Sequence, residues 1–283
     1  MPATATIKVP GTEVEKLTGE KFPLTNRNLH LSIELRENQL LAVLLDKRSN
    51  QYIAWASYPL NKDNSLDKIL EDEMLITPTS SVSVAFTSNN YILVPALYFK
   101  KEALKDYLTT QQLYKTDETP CYDYIKNLDS YNLYTTGKSL DTLRKKYPGA
   151  SFRHSSSLFL EQLLTENKNS EDDKVFACVF SNYVDVAVIQ SGKLLLSNRY
   201  QFQNTNDFIY NLLWVYEQLK LNAEKVPCIF YGEIEKDSEP YKLSSRYIKK
   251  LSTGDKGMPP CTAPLNTLQP HTYHSLFTQY LCV

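Results

Sequence analysis

The sequence is poor in glycine, with only 8 glycines among 283 residues. Glycine lets the backbone approach a phosphate group closely, so this scarcity limits the places where a nucleotide could be held. One short stretch, Gly137-Lys138-Ser139, resembles the end of a phosphate loop, but Asn132 stands where the loop requires an upstream glycine. We therefore interpret that stretch as a chance match.

Long apolar runs and clustered cysteines are also missing. The longest apolar runs, such as 40–45, have the length of a strand, whereas a membrane helix needs about 18 residues. The first residues have no apolar segment typical of a signal peptide. The 5 cysteines include no CxxC pair, which favours reduced thiols over a metal clip. These features predict a cytoplasmic protein with no membrane segment.

The charges are balanced, with 31 basic and 32 acidic residues and a net charge of −1. This balance gives no signal for binding nucleic acid or an anionic membrane. The hydrophobic share of 42% is that of a globular protein with a substantial core.

Hydrophobic periodicity predicts the same order of elements, β-β-β-α-β, twice. The first block has strands at 29–35, 38–45, 51–58 and 81–86 and a helix at 65–75. The second has strands at 175–180, 183–190, 194–202 and 227–231 and a helix at 206–221. We align the blocks with Ala42 opposite Ala187. Two unrelated domains that share a common element order remain the alternative.

The domain organisation follows from this repeat. Residues 1–27 are predicted to be an irregular arm. The first domain covers 28–167 and contains an α/β insertion at about 91–150. The second domain covers 168–283 and ends in a proline-rich tail, and the charged segment 168–173 marks the boundary.

Two stretches carry a resemblance to a known family: LHLSIELRENQLLAVLLDKRSNQYIAWASYPL and, later, KKYPGASFRHSSSLFLEQLL. The chain resembles a bacterial family of unknown function with an actin-like ATPase fold over about residues 28–250. The resemblance implies an α/β protein with mixed sheets, in which two actin-like (ribonuclease H-like) domains are related by a pseudo-twofold.

That superfamily holds a magnesium nucleotide with an Asp-x-Gly turn in each unit and a Gly-Gly pair near the end of the second unit. The positions in this sequence that correspond to these elements are Arg36, Glu37 and Asn38, then Ser181, Asn182 and Tyr183, and finally Gly232 and Glu233. Neither turn keeps the aspartate or the glycine, and the pair keeps one glycine. We expect a degenerate nucleotide site with no bound cofactor.

Other polar residues have plainer interpretations. The strand period places Glu34 and Asp185 on polar, solvent-facing sides. His271 and His274 are predicted to be surface residues of the tail rather than metal ligands. The serines after His154 are predicted to cap a helix.

Tyrosines are concentrated in the insertion, and two interpretations of them remain open. Tyrosine is enriched at protein interfaces, but these side chains could equally be half-buried strand residues. The insertion tyrosines include Tyr122, Tyr124, Tyr131 and Tyr134.

The functional hypothesis is a non-catalytic actin-like scaffold or interaction protein. It has no catalytic residue and no metal site that can be named, and its partner is another protein or a second copy. The alternative is an atypical nucleotide or small-ligand binding protein that uses the cleft between the domains.

Overall fold

A computed structural model describes residues 13–19, 28–88, 91–254 and 260–282. These residues form two compact units. The N-terminal unit contains 13–19, 28–88, 91–162, 260–268 and 275–282, and the C-terminal unit contains 163–254 and 269–274. The predicted domain bounds had assigned the whole tail to the second domain, whereas the structure divides it between the units.

Fourteen strands and eight α-helices occur in the described residues. The strands are β1 Glu15–Thr18, β2 Leu29–Leu35, β3 Gln39–Asp46, β4 Gln51–Pro59, β5 Ser81–Phe86, β6 Tyr91–Pro95, β7 Thr119–Ile125, β8 Ser130–Thr136, β9 Ser151–His154, β10 Lys174–Val179, β11 Tyr183–Gln190, β12 Lys193–Gln201, β13 Cys228–Gly232 and β14 Leu251–Thr253. The helices are α1 Leu66–Ile69, α2 Glu73–Ile76, α3 Leu104–Thr110, α4 Lys138–Lys146, α5 Ser155–Asn167, α6 Thr205–Gln218, α7 Glu239–Tyr247 and α8 His274–Thr278. Among these helices, none is long and apolar enough to cross a membrane.

The N-terminal unit is built on a six-stranded sheet with the order β1-β4-β3-β2-β5-β9. Strands β2, β3 and β4 are antiparallel, and β5 and β9 run parallel to β2. Every residue of β2 is buried, because both faces of the central strands are covered. Strand β1 lies in the predicted irregular arm, so that prediction is wrong for 15–18, and residues 1–12 and 20–27 lie outside the described residues.

The C-terminal unit repeats this topology in a five-stranded sheet with the order β12-β11-β10-β13-β14. The first three strands are again antiparallel, and β13 and β14 are again parallel to β10. A register irregularity even recurs at the same place in the second hairpin, at Leu44/Leu45 and at Val188/Ile189. The prediction that one element order occurs twice is confirmed.

The alignment of the two blocks needs a correction of one residue. The last strand pair before the first hairpin turn is Leu35–Leu40 in one unit and Val179–Val184 in the other. Ala42 is therefore equivalent to Val186 rather than to Ala187. A slip of one residue exchanges the two faces of a strand. In strands that are apolar and buried on both faces, the sequence pattern looks almost the same before and after such a slip, so it does not fix the alignment.

Several predicted helices also change. The single helix expected at 65–75 is two short helices, α1 and α2, which begin at the side-chain caps Ser65 and Asp72. Helix α6 begins at the cap Asn204 and carries the predicted apolar face.

The insertion forms a three-stranded sheet, β6-β8-β7, with α3 against it. Its small core contains Val94, Leu108 and Leu133. Phe99 stacks on Tyr131 with 3.9 Å between ring centroids and also contacts Tyr122. Two short 3₁₀ turns, at Ala96–Tyr98 and Lys101–Ala103, precede α3.

Candidate functional site

The hairpin turn between β2 and β3 carries the first set of predicted site residues. Arg36 Nε lies 2.8 Å from Glu34 Oε1, and the side chain of Glu34 is fully buried. Ser275 Oγ donates to the other carboxylate oxygen of Glu34 at 2.6 Å. Glu37 and Asn38 are exposed. The charge of Arg36 is thus neutralised by an internal partner, and the prediction that Glu34 faces solvent is wrong because the C-terminal segment covers it.

The hairpin turn between β10 and β11 carries the second set. The ring of Tyr183 stacks on Phe180, with 4.6 Å between centroids. The guanidinium of Arg199 lies 4.0 Å from the centroid of the Tyr183 ring, which is within the range of a cation–π contact. Ser181 and Asn182 are exposed at the tip. Tyr183 therefore occupies the side of the turn that a glycine would leave open.

Arg199 is held by a second contact in the same unit. Its Nε and its terminal nitrogen Nη2 each donate to one oxygen of Asp185, both at 2.7 Å. Both side chains are at most 7% exposed. Asp185 was predicted to face solvent, and this bidentate pair explains why it is buried instead.

Gly232, the glycine of the predicted third element, ends β13. Its φ angle is 82°, and a Cβ atom there would lie 2.1 Å from the carbonyl oxygen of Val179. Its N–H donates to the carbonyl oxygen of His271 at 2.8 Å. Glu233 follows, half-buried, and its N–H donates to the same Val179 oxygen at 2.8 Å. The close approach of β13 to β10 is enough to require the glycine.

The two tail histidines are buried, each only 4% exposed, so the prediction of surface residues is wrong. His271 Nε2 lies 2.8 Å from the carbonyl oxygen of Ile234. The ring of His274 lies 4.4 Å from that of Tyr231. Burial lowers the pKa of His274 to about 3, and the neighbouring His271 adds to this effect. The histidines fix the tail to the end of β13, and no group of three His, Cys, Asp or Glu in the described chain could hold a metal.

A polar cluster at the start of α5 has more connections than the sequence indicated. His154 Nδ1 accepts from the backbone N–H of Ser156 at 3.1 Å. Asn132 Nδ2 donates to the hydroxyls of Ser156 and Ser157 at 2.9 and 2.8 Å. Asp123 Oδ2 accepts from the backbone N–H of His154 at 2.7 Å. The cluster joins the insertion sheet to α5.

This cluster is closed to solvent. His154 is fully buried, and its Nε2 lies 3.0 Å from Ser88 Oγ. Burial raises the pKa of Asp123, although hydrogen bonds from neighbouring hydroxyls oppose the shift. Asn132 and Asp123 lie in aromatic-rich strands without a motif, so no sequence pattern indicated this network. Its role is to fix the helix start rather than to expose a nucleophile.

Comparison with known proteins decides the family. The family model described as "Protein of unknown function (DUF3822)" matches residues 20–251. The chain belongs to that family. No curated protein matches the chain.

Two solved structures establish the fold. A Bacteroides thetaiotaomicron protein with an actin-like ATPase fold and unknown function has a TM-score of 0.72 and 21% identity, covering 81% of this chain and 91% of that chain. A chain of the PilM–PilN type IV pilus biogenesis complex has a TM-score of 0.56 and 14% identity, covering 89% of this chain and 97% of that chain. At this identity the likeness shows the fold alone, and it confirms the predicted actin-like architecture.

At each of the three predicted elements, one polar or aromatic group has a partner inside its own unit, and Glu37, Asn38, Ser181 and Asn182 are exposed. Arg36 is paired with Glu34, Arg199 is paired with Asp185, and the amide of Gly232 is bonded to the tail. Such an arrangement stabilises the two units, because buried charges and amides are costly unless they are paired. It leaves few donors available at these turns for an anionic ligand.

Proposed function

We propose that this chain is a non-catalytic actin-like scaffold or interaction protein in which the nucleotide site is degenerate. The observation that carries the proposal is that one group in each of the three predicted elements has an internal partner: Arg36, the Tyr183 ring and the Gly232 amide. Arg36 and the backbone amide of Gly232, which are a cation and an amide suited to contacting a phosphate, both have internal partners.

The energetics of the first turn support this proposal. If Arg36 turned toward a phosphate, Glu34 would be left buried with a hydroxyl as its remaining side-chain partner. Breaking a buried ion pair in this way costs about 3–5 kcal/mol. Exposed Glu37 adds a second negative charge to the same turn, which opposes an anion further.

The second turn gives a separate argument. Arg199 donates two hydrogen bonds to Asp185 and lies over the ring of Tyr183. Moving Arg199 would lose the bidentate contact with Asp185 and the aromatic contact with Tyr183 together. The actin-like reaction requires both turns at once, so the obstacles of the two turns combine.

Phosphate release tests the catalytic part of the proposal. We expect the purified chain to release phosphate from ATP no faster than the buffer does, with or without Mg²⁺. The control is an established ATPase with an actin-like fold under the same conditions. A rate above background that disappears when Mg²⁺ is chelated, and that cofractionates with the chain, would contradict the proposal.

The proposed partner is another protein or a second copy of the chain, and the proposed location is the cytoplasm. Support comes from the structural relative in the PilM–PilN complex, which is a component of a protein assembly. Exposed side chains in the insertion supply a contact surface. Leu97 is 85% exposed, Tyr98 is 66% exposed and Tyr124 is 44% exposed. Large apolar side chains with this exposure are typical of contact surfaces.

A further inference from the structure

A pocket lined with side-chain amides lies beside the β10–β11 hairpin turn of the C-terminal unit. Its volume is about 490 Å³, which is within the range of small-molecule sites. We call it the amide pocket. It is lined by Asn182, Gln201, Phe202, Gln203, Asp207, Tyr210 and Asn211.

Most of the polar groups in the amide pocket are uncommitted. The side-chain amides of Asn182, Gln201 and Gln203 make no hydrogen bond to any part of the chain that the structure describes. Asn211 uses only its Nδ2, which donates to the carbonyl oxygen of Gln201 at 3.0 Å. Each amide offers both a donor and an acceptor, so the pocket can satisfy groups that need both.

The charge of the amide pocket narrows the ligand class. No lysine, arginine or histidine lines it. Its single acid, Asp207, accepts from the backbone N–H of Gln203 at 3.1 Å and from Asn204 Nδ2 at 3.0 Å. A phosphate or carboxylate would find no cation there, and an apolar ligand would cover the amides without satisfying them. The lining suits a neutral, polar ligand.

An aromatic platform extends from the amide pocket along α6. The rings of Tyr210 and Trp214 stack at 6.1 Å between centroids with an interplanar angle of 20°. The two rings are 63% and 42% exposed, and their spacing of one helical turn places them side by side on the surface. Tyr210 lines the pocket and Trp214 continues the platform beyond it.

We propose that the amide pocket and its aromatic platform bind a neutral carbohydrate. A sugar ring has a face of C–H groups that packs on an aromatic ring, and hydroxyls at its edge that both donate and accept. The aromatic pair matches the first feature, and the free amides match the second. Because the platform continues beyond the pocket to Trp214, an oligosaccharide fits better than a single sugar. This inference is independent of whether the chain binds ATP.

An array of neutral and anionic oligosaccharides tests the proposal, followed by titration of the strongest neutral binder. Trp214 is a built-in reporter, because the other tryptophan, Trp55, is only 1% exposed. We expect saturable binding of a neutral oligosaccharide with a change in tryptophan fluorescence that is lost in Trp214→Phe.

Matched variants connect that signal to the site. Tyr210→Ala should weaken binding about tenfold or more, because stacking on the ring is lost. Gln203→Ala should weaken it through the lost amide. Tyr247→Ala is the control, since Tyr247 is 54% exposed on α7 and does not line the pocket.

Three results would overturn the proposal. The first is an array on which no neutral oligosaccharide binds. The second is binding restricted to anionic sugars. The third is binding by folded Tyr210→Ala and Gln203→Ala at wild-type strength, with the fold checked by circular dichroism.

Discussion

At Gly232, the backbone has a φ angle of 82°, and the space for a side chain is taken by the Val179 carbonyl. Gly232→Ala would force either the strained backbone or the pairing of β10 with β13 to change. We expect a loss of unfolding free energy of at least about 3 kcal/mol, measured by denaturant unfolding. Gly149→Ala is the control, because nothing lies within 4 Å of a Cβ added there. Equal stability of the two variants would show that the glycine is not required by packing.

Two buried histidines make stability depend on pH. Burial lowers the pKa of His30 to about 4, with Lys47 adding to the effect, and lowers that of His274 to about 3. The unfolded chain takes up these protons near pH 6.5, whereas the folded chain does not. Their contribution to stability is therefore complete above about pH 6.5 and is lost as the pH falls toward 4 for His30 and toward 3 for His274. The slope is about 1.4 kcal/mol per pH unit for each histidine.

Denaturant unfolding between pH 7 and 4.5 measures this slope, and a single variant isolates one histidine. His30 contacts the hydroxyls of Ser81 and Ser83 at 2.7 and 2.8 Å. His30→Gln can keep a hydrogen bond to these serines but cannot titrate. We expect a shallower pH dependence in this variant, and an unchanged slope would show that His30 contributes nothing to it.

The insertion is the element that carries the proposed partner contact. Its tyrosines divide in the structure: Tyr134 is buried, Tyr122 and Tyr131 pack with Phe99, and Tyr124 is exposed. We call the exposed residues Leu97, Tyr98 and Tyr124 the insertion tip. Because Tyr107 Oη donates to the carbonyl oxygen of Tyr98, the tip is fixed in shape, which lowers the entropic cost of binding.

We expect Leu97→Asp with Tyr98→Asp to lose partner association while the fold is unchanged. The measurement is affinity capture from the native cell, with captured proteins identified for wild type and variant in parallel. Tyr247→Asp is the control, because it places the same charge on an exposed aromatic site outside the insertion. If the double variant captures every protein that wild type captures, the insertion tip is not the contact surface.

The strands were the most predictable elements. Runs such as 29–35 and 183–190 are bounded by polar turns, and the structure reproduces them as β2 and β11. Short strands that pair only through tertiary contact were missed, including β1, which has half or full exposure along its length and adds to the edge of β4. Periodicity cannot identify such a strand, because its sequence has no buried face.

The sequence predicted which residues lie in the turns of the candidate site, but it did not predict which side chains those residues contact. The turn residues follow from strand ends, and the missing glycines are visible in the sequence. The partners Glu34 and Asp185 were predicted to face solvent, because the alternation of side chains along a strand suggested that one face of each strand is solvent-exposed. Ser275 lies 241 residues from Glu34, so no local pattern could have paired them.

For the whole molecule, the fold does not determine the activity. The two sheets share an order of five strands, and the chain has an actin-like fold, but this architecture does not by itself imply ATP hydrolysis. At the predicted site, Arg36, Arg199 and the Gly232 amide are paired with other groups of the chain.

Calorimetric titration of the full chain with Mg-ATP tests this claim most directly. A positive control is a nucleotide-binding protein with an actin-like fold, titrated in the same buffer. We predict no saturable heat in the sub-millimolar range, because Arg36, Arg199 and the Gly232 amide already have internal partners. A stoichiometric isotherm that requires Mg²⁺ and gives a micromolar Kd would contradict the account.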